Sequence, residues 1–137
     1  HPYGEALFNR CVYGVFDPVG YGADGKYGNE WDMTIWISDR GIESGRLKDI
    51  LIHEAAHAYS YLVLRGCVVP DGSSFRELAH KRYGDEEHLA DIFVLYYGGK
   101  WTNYDGRENI PIRDRSWMSN MIDYCNLYEE ALATLSS

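Results

Sequence analysis

From Glu43 to Leu64 the chain carries apolar residues on most sides of a helix: Ile50, Leu51, Ile52, Ala55, Ala56, Ala58, Leu62, Val63 and Leu64. A helix apolar all round is expected to be buried, because only an enclosing core satisfies every face. Ser44 reads as its N-cap and Arg65-Gly66 as its stop. Into this segment the sequence sets His53, Glu54 and His57. Such groups are costly in an apolar helix unless something pairs with them. The fold therefore has to supply a partner for all three.

Residues four apart on a helix share a face, so the two imidazoles of His53-Glu54-Ala55-Ala56-His57 reach one point. Neutral imidazole nitrogens bind Zn²⁺ at about 2.0–2.1 Å. Glu54 projects beside such an ion. There its carboxylate can take a proton from an attacking water and pass it to a leaving amine. This H-E-x-x-H spacing resembles that of zinc metallopeptidases. Two histidines leave zinc short of the three protein ligands usual in catalytic sites. The longer metzincin pattern would need Gly at position 60 and His at 63, where this chain has Ser60 and Val63. A later helix offers Glu87-His88-Leu89-Ala90-Asp91, with two carboxylates four apart. Asp91 stands among Leu89, Ala90, Ile92 and Phe93, where an unpaired carboxylate would be expensive.

H-E-x-x-H on one helix followed by E-x-x-x-D on a later one resembles the gluzincin group of metallopeptidases. The resemblance implies a zincin-like fold holding one Zn²⁺. His53, His57 and Glu87 would be the ligands, and Glu54 the general base and then acid. Asp91 would stand behind a ligating histidine and fix its tautomer and ring orientation. Asp91 is also the alternative third ligand, and His80 and His88 are further rivals for that place. The substrate would be a peptide or protein bound in extended form along a sheet edge, for which Trp31–Ser38 is the expected strand. A donor to the developing oxyanion is also required. Tyr97, Tyr104 and His80 are candidates, with His88 and Arg113 behind them.

The remaining pattern predicts an α+β chain. Arg10–Phe16 reads as a short strand, and Asp24-Gly25 marks a turn in a Gly-rich stretch. Trp31–Ser38 alternates, with Trp31, Met33, Ile35 and Ile37 on one face, as a strand with one side buried does. Helices are expected from Phe75 to about Arg82, and from an Asp85 cap to Tyr97 before Gly98-Gly99. An irregular stretch follows from Lys100 to Arg115. A last helix spans about Ser116 to Leu135, with Met118, Met121, Ile122, Cys125, Tyr128, Leu132 and Leu135 as its apolar stripe. The expected architecture is a small twisted sheet over about residues 1–40, then a buried active-site helix and further helices over 43–137. All of it is read as one domain, 1–137.

Composition narrows the function classes. The 137 residues are enough for a core, and 45% hydrophobic with 25% charged residues excludes intrinsic disorder. No apolar run reaches the roughly 18 residues of a membrane span. Lys and Arg number 13 against 21 Asp and Glu, a net charge of −8, so nucleic acid is not an expected partner. The stretch from Gly20 to Glu30 is rich in oxygen ligands but matches no EF-hand loop. A hairpin or rim loop is favoured there over a Ca²⁺ site. Cys11, Cys67 and Cys125 form no C-x-x-C pair, so a thiolate zinc site is not expected. They leave open one disulfide or three buried thiols. Few lysines, many aromatics and three cysteines point to a secreted protein. The start His1-Pro2, without Met or signal segment, reads as a processed or excised form.

Three functions fit these residues. They are a zinc peptidase, a metal-dependent amidase acting on a cell-wall or other non-protein amide, and a non-catalytic zinc-stabilised binding or assembly domain. Glu54 favours the enzymes, because a structural site has no need of that carboxylate.

Overall fold

The computed structural model describes residues 13–20 and 32–136, and they form an α+β chain. Strands β1 (Gly14–Asp17) and β2 (Thr34–Ile37) pair antiparallel, with Gly14 opposite Ile37 and Asp17 opposite Thr34. Five helices follow: α1 (Asp39–Glu43), α2 (Leu47–Leu62), α3 (Phe75–Tyr83), α4 (Glu86–Tyr96) and α5 (Ile112–Ser136). A 3₁₀ turn, Leu64–Gly66, follows α2. Two compact units result, His1–Ala58 and Tyr59–Ser137, and the division falls inside α2. Among the described residues no helix is long and apolar enough to cross a membrane. Cys11 and the Gly-rich segment from Tyr21 to Glu30 lie outside the described residues.

In the first unit, β2 is shorter than the alternation predicted. Met33 has φ 56°, the left-handed region that side chains rarely adopt, so pairing starts only after it. The expected clean burial of one face is also absent, for all four residues of β2 are half-buried. A narrow two-stranded ribbon has little covering surface on either side. Ser38 caps α1 by accepting from the Gly41 amide at 3.0 Å, and its hydroxyl donates to the Tyr13 carbonyl at 3.1 Å. Gly41 has to be a glycine, because a Cβ there would lie 2.5 Å from that same carbonyl oxygen.

The long helix expected over 43–64 is divided. Ser44 ends α1 as its C-cap, donating its hydroxyl to the Gly41 carbonyl at 2.6 Å, instead of opening α2. Gly45, at φ 76°, then turns the chain, and α2 begins at Leu47. Nor is α2 buried all round. Ile50, His53, Glu54, Ala56 and Ser60 face inward, while Leu51 and Leu62 are exposed. Apolar residues on solvent faces are ordinary, so an apolar ring does not by itself imply enclosure.

In the second unit, Leu64, Cys67, Ala79, Leu89, Ile92, Val94, Met118, Met121 and Cys125 form a tightly closed core. Cys67 and Cys125 are joined as a disulfide, resolving the open choice among three cysteines as far as the described residues reach. Ser74 and Asp85 cap α3 and α4 through the amides of Glu77 and His88. Helix α5 starts four residues before the expected Ser116. The amides of Asp114 and Arg115 both donate to the Pro111 carbonyl, and proline is already set in a helical φ. Of its predicted stripe, Met118, Met121 and Cys125 are buried, whereas Leu132 and Leu135 are exposed because the helix outruns the core.

Candidate metal centre

His53 and His57 stand one turn apart on α2, and their Nε2 atoms are 3.1 Å from each other. The rings meet edge to face, 83° apart in plane. Two nitrogens about 2.0–2.1 Å from one ion, at a tetrahedral angle, would be separated by about 3.3 Å. The observed spacing is close to that of a ligand pair. It is also that of an N–H···N hydrogen bond between neutral rings, so the pair has a way to satisfy itself without an ion. Between them in sequence, Glu54 is only 6% exposed. Gly14 of β1 packs against it, since a Cβ on Gly14 would lie 3.1 Å from Glu54 Cγ.

Glu87 lies in the first turn of α4. Its carboxylate and the imidazole nitrogens of His53 and His57 provide three ligand atoms, all within 4.8 Å of one another. This group can hold a metal ion, and it combines the two motifs singled out in the sequence. Asp91 is not a member of it. Asp91 is completely buried, and its Oδ2 accepts from the backbone amides of Asn103, Tyr104 and Asp105 at 3.1, 2.6 and 2.8 Å. Three N–H groups on one oxygen are ample compensation for a buried carboxylate. They also pin the loop after α4.

The other candidates have partners of their own. His80 Nε2 is 2.7 Å from Glu86 Oε1. His88 Nδ1 is 2.7 Å from Asp85 Oδ1. That hydrogen bond holds the imidazole of His88 above its ordinary pKa, with the charges of Asp85, Asp105 and Asp91 adding to it against burial. Tyr104 hangs its amide on Asp91 and tilts its ring toward His88 at 6.5 Å. Tyr97 caps α4, more than half exposed, with its ring stacked on Phe93. Arg113 is exposed in the first turn of α5.

One cluster was not anticipated. Glu86, which reads as an ordinary first-turn acid, gathers Ser60, Arg76 and His80 around a single oxygen. The available signal was Ser60, a hydroxyl in an otherwise apolar stretch one turn beyond His57. A second network joins Arg82 and Tyr83 to the buried Asp114, at 2.8 and 3.1 Å. No protein family, curated protein or solved structure matches the chain.

Proposed function

We propose that this chain is a zinc-dependent peptide hydrolase of zincin-like fold, with His53, His57 and Glu87 as metal ligands and Glu54 as general base and acid. The observation that carries this reading is the convergence of two imidazoles and one carboxylate within 4.8 Å, with Glu54 next to the first histidine. Two histidines and a glutamate are a donor set of catalytic zinc sites, which keep a fourth position open. Bound there, zinc would polarise the scissile carbonyl and lower the pKa of water toward about 7. Glu54 would take the proton of the attacking water and hand it to the nitrogen of the departing amine. Its burial beneath β1 favours one fixed orientation for that transfer. An extended peptide would add along the β1–β2 ribbon by main-chain hydrogen bonds. The Cys67–Cys125 disulfide agrees with a secreted protein, because oxidising compartments are where such bonds persist.

The test pairs metal content with turnover of a peptide library. The purified chain is expected to carry one zinc. Glu54→Gln should retain that zinc and lose peptide hydrolysis by about 10²–10⁴-fold. A variant that hydrolyses peptides as the parent does would overturn the role of Glu54. Cleavage of glycan-linked peptides alone would move the activity to the amidase class.

A further inference from the structure

We infer that Glu86 is a positioning residue for the proposed metal centre: anchored by Ser60, Arg76 and His80, it fixes the first turn of α4 and thereby the direction in which Glu87 points. The inference rests on the metal reading above. Its starting point is the crowding of one carboxylate oxygen. Glu86 Oε1 accepts from the Ser60 hydroxyl at 2.7 Å, lies 2.7 Å from His80 Nε2, and is 3.5 Å from Arg76 Nε. Arg76 Nε also donates to Ser60 Oγ at 3.1 Å. An acidic residue in a first turn gains from the helix dipole while pointing into water. Glu86 instead turns inward, to side chains of α2 and α3, which the dipole alone does not require.

The placement of the partners gives this cluster its consequence. Ser60 is fully enclosed on α2, three residues beyond His57 and on the same side of the helix. The Ser60–Glu86 bond therefore ties the helix that carries the histidine pair to the residue immediately before Glu87. Successive residues on a helix are separated by a set rotation of about 100°, so holding Glu86 in place sets the direction of the Glu87 Cα–Cβ bond. Arg76 and His80 hold the same oxygen from α3 and resist its rotation.

Groups that orient metal ligands commonly contribute about 10–100-fold to metal affinity. Glu86→Ala in the full chain is expected to weaken zinc binding by about that factor, measured by competition with a chelator. It should also alter the visible absorption of the cobalt-substituted chain. Glu86→Gln keeps an acceptor for Ser60 and Arg76 and should recover most of the affinity. Tyr96→Phe is the control, since it removes the Tyr96–Ser119 hydrogen bond from the same helix. It should lower thermal stability without changing zinc affinity or the cobalt spectrum. Should Glu86→Ala fail to fold, Ser60→Ala carries the same expectation. Parent-like zinc affinity and cobalt absorption in Glu86→Ala would overturn the positioning role while leaving the metal site standing. Equal losses of affinity in Tyr96→Phe and Glu86→Ala would reduce Glu86 to general stability and overturn it too. A parent chain that binds no zinc would remove the metal reading itself, and this role with it.

Discussion

Gly14 of β1 lies directly against Glu54 of α2: a Cβ on Gly14 would stand 3.1 Å from Glu54 Cγ, with Ile50 and Ile37 just as close. The strand backbone packs against the stem of the Glu54 side chain, and an added Cβ would require these neighbours to give by a few tenths of an ångström. Gly14→Ala is expected to cost about 1–3 kcal/mol through overpacking. It should also displace Glu54 and lower turnover, while zinc affinity stays near that of the parent. Denaturant unfolding, zinc competition and peptide hydrolysis measured on one preparation check this. Parent-like turnover in a destabilised variant would show that the carboxylate is not held by this contact.

Asp91 should act through the loop it pins. Asp91→Asn keeps one acceptor oxygen but removes the charge from three amide hydrogen bonds, each of a class worth about 1.5–3 kcal/mol. Amide exchange at Asn103, Tyr104 and Asp105 is expected to accelerate. Zinc retention sorts Glu87 from Asp91. Glu87→Ala should lose the ion, and Asp91→Asn should lose it less. The opposite order would give Asp91 the ligand's place.

The Cys67–Cys125 bond closes a long segment, with 58 residues of sequence separation. Loop-closure entropy alone puts its stabilisation at about 4 kcal/mol. A Cys67→Ser, Cys125→Ser double variant should lose that order of stability in denaturant melts and show a lower Tm. Both sulfurs are fully buried, so the parent should resist mild reductants until it opens.

Alkaline pH should weaken the second unit through its tyrosines. Burial pushes the phenols of Tyr59 and Tyr83 up to about 12. The charges of Tyr97, Glu129 and Asp123 add to this at Tyr59, and that of Asp114 at Tyr83, where the Arg82 hydrogen bond opposes it. In the unfolded chain a phenol titrates near 10. The folded state thus prefers these groups protonated. Their contribution is complete below about pH 10 and is lost as pH rises toward 12. Phenolate absorbance should therefore show late-titrating tyrosines, Tyr59 and Tyr83 among them, whose ionisation accompanies loss of structure. Tyr83→Phe should remove one of them, at the cost of its hydrogen bond to Asp114.

Much of this architecture is legible in the sequence. Asp85 and Gly98 bracket α4 as read, because a side-chain cap and a left-handed glycine are local events that need no tertiary partner. The four-residue spacing that brings the Nε2 atoms of His53 and His57 together is equally local. The break at Ser44 and Gly45 was not legible. Ser44 is as good an ending for α1 as an opening for α2, and the Gly41 carbonyl decides between them. The early start of α5 at Pro111 was hidden for a similar reason, since proline both ends irregular stretches and opens helices.

By itself, the sequence determined the helix that carries the histidines, the face they share and the acid between them. These follow from helical periodicity, which is a property of neighbours along the chain. Only the tertiary structure set a Glu87 carboxylate oxygen within 4.8 Å of the histidine nitrogens and hung the loop after α4 on Asp91. It also turned Glu86 from a solvated acid into the anchor of Ser60, Arg76 and His80. A buried carboxylate takes whichever donors the fold brings to it, because leaving it unpaired is costly. Those donors come from segments distant in the chain, so no local pattern records them.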